Sequence, residues 1–173
     1  MGGIRMASGL DRIRDILGSQ LELYRELLDA AAETRDHVVA NRVDLLEKTV
    51  QREMELVSTI EELEAERLRI MLSVCKELDI DPEEATISVL AQKLPEEESS
   101  KLLELRDSIL STLDELGAKG KVNERLIRDS LRYINFALGL YFPDDGEDVT
   151  YDSGSSGGQS AAEKHKGLID AKA

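Results

Sequence analysis

Apolar residues recur along this chain in steps of three and four, the spacing of a helix that buries one stripe. The first run predicts a helix from about Leu10 to Val38, through Leu10, Ile13, Leu17, Leu21, Tyr24, Leu28, Ala31 and Val38. Ser8 stands where an N-cap belongs, and Asp11 follows where the helix dipole favours an acid. Gly18 interrupts the run at a cost of about 1 kcal/mol relative to Ala. Burying one Leu gives back roughly 2 kcal/mol, so the helix continues through it. Ala40–Val43 reads as a tight connection, in which Asn41 tolerates the left-handed conformation that ends a helix.

A second helix follows, with Asp44 as its expected cap and Glu47 at capping-box spacing. Its seam is Leu46, Val50, Met54, Val57, Ile60, Leu63, Leu68, Met71, Cys75 and Leu78, and it ends near Asp79. So short a connection makes the first two helices antiparallel neighbours. Pro82 stops the second helix, because the residue before proline avoids the helical region. A short third helix spans Ile87 to Leu94 with Thr86 as cap. Pro95 opens the last helix, and Glu96, Glu97 and Glu98 face its positive end. That helix runs to Tyr141, roughly 70 Å at about 1.5 Å per residue. Its seam passes through Ile109, Leu113, Leu116, Gly120, Asn123, Ile127, Ser130, Ile134, Ala137 and Tyr141. Gly117 and Gly120 weaken it by about 2 kcal/mol together, but the seam keeps its phase across them.

After Phe142-Pro143 the pattern stops. Residues 144–160 are acidic and rich in Gly and Ser, with only Val149 and Tyr151 fit for burial. Two side chains cannot offset the entropy of ordering such a segment. The expected fold is therefore all-α: an antiparallel bundle of three long helices, one short connecting helix and a disordered C-terminal tail. Residues 1–9 form an N-terminal extension, 10–142 the helical domain and 143–173 the tail. Leu168 and Ile169, one compact apolar pair beyond the linker, read first as a frayed terminus and otherwise as a tethered segment that docks in the groove between the long helices or on a second partner.

Composition narrows the class. Charged residues make up 34% of the chain and aromatic residues 3%, with no Trp, so aliphatic side chains must fill the core. The formal net charge of -14 repels phosphate backbones and anionic headgroups. That argues against nucleic acid and membranes and for a basic or apolar partner. Cys75 stands alone, which excludes an intrachain disulfide and suits a small core residue in a reducing compartment. No apolar run approaches the roughly 20 residues that span a bilayer. The stretch Met1–Met6 lacks the apolar core of a signal peptide, and Met6 reads as an alternative start. The expected location is cytoplasmic.

No catalytic pattern is present. The stretch Gly117-Ala-Lys-Gly-Lys121 imitates a phosphate loop, but Glu115 replaces its first glycine, Val122 its hydroxyl residue, and no strand precedes it. His37 lies one turn from Glu33, yet a di-iron bundle needs a Glu-x-x-His pair on each of two helices. Neither copy exists, and His165 lies in the tail. The reading is a binding protein without cofactor or metal, not an enzyme.

Several stretches carry a resemblance. Leu45-Leu46-Glu-Lys-Thr-Val50, Leu63-Glu-Ala-Glu-Arg67, Asn123-Glu-Arg-Leu126-Ile127-Arg-Asp-Ser130-Leu131-Arg-Tyr133-Ile134 and Thr150-Tyr151 resemble the FlgN-like flagellar export chaperones. So does the order long, long, short, long, tail. One departure is Gly120, where that family usually has a second Asn. The resemblance implies a cytoplasmic chaperone of the hook-associated proteins at the hook–filament junction, FlgK and FlgL. It would keep their terminal helices from assembling early and hand them to the flagellar export gate. The expected client-binding residues are Asn123, Ile127, Ser130, Tyr133, Ile134, Phe136 and Tyr141. Asn123 and Ser130 read first as fixing helix register inside the bundle and otherwise as part of that client seam. Leu131, Ile134, Leu138 and Tyr141 read first as core, and Tyr133 and Phe136 as a patch off the seam. The alternative from another class is a structural coiled-coil or adaptor subunit that self-associates through the same seams.

Overall fold

A computed structural model describes residues 2–141, with side chains described from residue 8 onward. The expected tail, 143–173 with Leu168 and Ile169, lies outside the described residues. The helices are α1 (Gly2–Val39), α2 (Val43–Leu78), α3 (Ile87–Gln92) and α4 (Glu96–Tyr141), with a 3-10 turn at Pro82–Glu84 before α3. No strand occurs among the described residues. The fold is the expected all-α bundle.

Two turns are built as the sequence implies. Asn41 adopts φ 53°. Its N–H donates to Val38 O and that of Arg42 to His37 O, which closes α1 with a Schellman turn. Asp79, at φ 55°, ends α2 in the same way, and the Ile80 N–H reaches Cys75 O. The Thr86 hydroxyl accepts from the Val89 N–H and caps α3. The other helix starts differ from expectation. Helix α1 begins at Gly2, so Ser8 lies inside it and caps nothing. Helix α2 has Arg42 at its N-cap with no side-chain cap bond, and Asp44 sits in the first turn. The Schellman turn fixes the chain direction there, so no side-chain cap sets that end. Pro95 lies just outside α4, and its carbonyl accepts the Ser99 N–H.

Helix α1 is the central element. It packs on α2 along one flank and on α4 along another, whereas α2 and α4 scarcely meet. Pairs Arg12–Glu66 and Glu33–Arg52 show that α2 runs antiparallel to α1. Arg14–Glu98 near one end and Ala31–Asn123 near the other show that α4 runs parallel to it. Helix α3 lies on α4, tied by the Arg106 guanidinium to Ser88 Oγ. A helix with partners on two flanks buries a wide arc. That is why α1 hides Ile16, Leu27 and Ala30 besides the expected Ile13, Leu17, Leu21 and Tyr24, while Leu28 is only half-buried.

The α2 seam needs correction too. Val50, Met54 and Leu68 are exposed, while Thr49, Glu64 and Arg67 are buried in their stead. Arg67 Nε and Nη2 donate to the two Glu64 carboxylate oxygens at 2.8 and 2.6 Å, and Gln20 Nε2 donates to Glu64 at 3.1 Å. This polar cluster fills the α1–α2 contact beside Tyr24. Burial, reinforced by the Glu64 charge and opposed by Arg67, pushes the Tyr24 phenol well above its usual range. Burial likewise raises the Cys75 thiol.

The glycines divide by what surrounds them. A Cβ on Gly9 would meet Val74 Cγ2 at 2.8 Å, so α1 and α2 approach closely there. Nothing lies within 4 Å of a Cβ on Gly117 or Gly120, and α4 is continuous through both. Gly117→Ala and Gly120→Ala should therefore each stabilise the protein by up to about 1 kcal/mol. Gly9→Ala should destabilise it by about 1 kcal/mol, because overpacking outweighs the propensity gain. Urea denaturation of the three variants checks this, and a loss at Gly117 or Gly120 would mean that α4 needs its glycines for shape.

Candidate client-binding groove

The parallel pairing of α1 and α4 locates the site. Asn123 Nδ2 donates to Ala31 O at 2.7 Å, across an offset of 92 residues. Helix α1 ends at Val39, eight residues beyond Ala31, which is level with Leu131 on α4. The last ten or so residues of α4, about 15 Å of helix, project past the end of α1.

Their sequence does not change character at that point. An α-helix turns about 100° per residue, so Leu102, Ile109 and Leu113 share one face of α4. Ile127, Leu131, Ile134, Leu138 and Tyr141 continue that face. The first three residues are buried. The continuation is not: Leu131 is 55% exposed, Ile134 45%, Leu138 50% and Tyr141 81%. The expectation that these four lie in the core is corrected here, because the helix they would pack on has ended.

Tyr133 and Phe136 are also exposed, as a patch off the seam requires. With Val122 and Leu140 they form a second stripe on the opposite side of α4. It extends the shallow recess between α1 and α4 lined by Ala32, Arg35, Glu115, Ala118 and Val122. Asn123 is buried, and its bond to Ala31 holds the α1–α4 register. Ser130 is half-buried.

The exposed residues of α2 belong with the seam of α4. Val43, Val50, Met54, Leu68 and Leu72 share one flank of α2, about 100° round from its buried face. Around α2, the residues lining the outer recess with α1 (Ile70, Ser73, Val74, Glu77) come first, then the buried face, then this stripe. Around α4, the outer recess comes first and then the seam. The two helices run in opposite directions, so these rotations converge. Both apolar stripes lie on the same side of α1, and the open space there between α2 and α4 is the candidate furrow.

A furrow walled by aliphatic side chains can receive an amphipathic helix. The described residues contain no group of three or more His, Cys, Asp or Glu placed to hold a metal ion. None of the described helices is long and apolar enough to cross a membrane. No curated protein and no solved structure matches the chain. A protein-family model, described as FlgN protein, matches residues 6–158. It takes in all four helices from residue 6 onward, and the chain belongs to the FlgN family of flagellar export chaperones.

Proposed function

We propose that this protein is a cytoplasmic, non-enzymatic chaperone whose clients are FlgK- and FlgL-like junction proteins. It holds a terminal client helix in the furrow between α2 and α4 and delivers the client to the flagellar export gate. The observation that carries this reading is the unpartnered continuation of the α4 core seam past the end of α1. An apolar stripe of that length in water favours a complementary partner. A client helix laid on it gains burial along Ile127, Leu131, Ile134 and Leu138 on one wall and Val50 and Met54 on the other. The contact stays reversible because part of it is open to solvent, which suits a client that must be released.

Co-expression with tagged junction proteins tests the reading. The expected result is a defined heterocomplex by light scattering, formed at the expense of free chaperone. Extended, concentration-dependent assemblies of this chain alone, with no client retained, would instead establish the self-associating structural subunit.

A further inference from the structure

Residues 121–141 differ in charge from the rest of this acidic chain. They carry Lys121, Arg125, Arg128 and Arg132 against Glu124 and Asp129. The four cations stand at i, i+4, i+7 and i+11, one ladder along three turns of α4. At about 100° per residue they fall within roughly 60° of arc, on the back of α4 and opposite Asn123, the residue bonded to α1. Beside the ladder lies the exposed stripe of Val122, Tyr133, Phe136 and Leu140. Asp129 stands on that border, near Arg125 and Arg132, and Glu124 pairs with Arg128 from the other side. Two carboxylates thus serve four cations. The guanidinium-bearing side chains are open to solvent, at 85% for Arg125, 60% for Arg128 and 75% for Arg132.

The matching charge comes next along the chain. No charged residue occurs from Tyr133 to Pro143, and residues 144–152 then bring Asp144, Asp145, Glu147, Asp148 and Asp152 with no base among them. These carboxylates follow the C-terminal end of α4, whose last turn carries no basic residue, so the helix dipole there repels them. The lengths agree as well. Nine extended residues span about 30 Å, and so does α4 from Tyr141 back to Lys121. In an extended chain Val149 and Tyr151 point to one side and Asp148 and Asp152 to the other. We propose that residues 144–152 fold back along α4, with Asp148 and Asp152 on the ladder and Val149 and Tyr151 on the stripe near Val122. Two apolar side chains do not order such a segment alone. The tether adds a millimolar effective concentration, and the opposed charges add attraction at low salt. The contact covers one of the two apolar faces of the projecting helix. The furrow lies on another face, so the proposal does not rest on the client reading.

The chain has no tryptophan, so Tyr151→Trp in the full chain places a single reporter in the segment. At low salt and micromolar protein, its emission is expected to lie to the blue of the same residue in an isolated 144–152 peptide. Acrylamide should quench it about twofold less, as for a tethered contact populated half the time. Both differences should vanish at about 0.5 M salt, where screening reaches only a few ångströms. Arg125→Gln/Arg132→Gln and, separately, Asp148→Asn/Asp152→Asn should each abolish them, with circular dichroism confirming an intact bundle. In the chain without tryptophan, the amide resonances of residues 121–132 should move when Asp148→Asn/Asp152→Asn is introduced, which guards against an effect of the reporter itself.

Peptide-like emission and quenching at low salt, with amide resonances that stay in place, overturn the proposal. Protection that Leu131→Ser/Leu138→Ser removes and Arg125→Gln/Arg132→Gln spares assigns the segment to the furrow instead. Protection that grows with protein concentration, alongside a salt-sensitive dimer by light scattering, assigns the ladder to the acidic stretch of a second copy. Either assignment overturns the intramolecular contact.

Discussion

Arg67→Met is expected to lower the unfolding free energy by about 3–5 kcal/mol, a large share of the 5–15 kcal/mol typical of a small domain. Arg67 is 1% exposed and grips Glu64 through two hydrogen bonds, so its removal leaves a carboxylate in the α1–α2 contact without its cation. The Gln20 amide still donates to that carboxylate, but one neutral donor does not replace a guanidinium. The stranded carboxyl should then favour its protonated form in the folded state. A carboxyl with a raised folded pKa makes stability fall as pH rises through the carboxylate range. The deficit should therefore be smaller in mildly acidic buffer than at neutral pH.

Glu64→Leu/Arg67→Met removes both charges and should recover most of the loss, because apolar groups of similar volume often match a buried ion pair. Urea denaturation of both variants at two pH values decides the matter. A single-variant loss below about 1 kcal/mol would mean that water reaches the pair in solution.

The same cluster shows what periodicity hides. Steps of three and four identified α2 but chose Leu68 for its core, one residue from Arg67. A hydropathy pattern reads a paired Glu and Arg as solvent-facing, since it cannot see that they satisfy each other. Asn41 and Thr86 were legible because their roles are local: a left-handed turn and a side-chain cap need no distant partner. Ser8 and Asp44 failed as caps because a good capping residue does not end a helix whose backbone can continue. Leu131, Ile134, Leu138 and Tyr141 were misplaced for a tertiary reason. Their spacing announces an apolar face, but whether it is covered depends on where α1 stops, 92 residues earlier in register.

Leu131→Ser/Leu138→Ser should weaken client binding by about 3 kcal/mol, or on the order of 100-fold, while leaving the melting of the bundle nearly unchanged. The two effects separate because Leu131 stands level with the end of α1 and Leu138 beyond it, and both, half exposed, contribute little to the core of the free protein. In a complex each would lose most of its remaining contact with water, at roughly 1.5 kcal/mol apiece for leucines already half-covered. Phe136→Ala serves as the internal comparison, since it removes comparable apolar surface from the opposite stripe of the same helix. A client confined to the furrow leaves that variant close to wild type. A loss at Phe136 as large as the loss at the paired leucines would mean instead that the client wraps the projecting helix. Calorimetric titration of a junction-protein client into each variant, beside thermal melts of the free proteins, distinguishes these results. Wild-type affinity in the paired leucine variant would remove the seam of α4 from the binding site, and with it the observation on which the chaperone furrow was built.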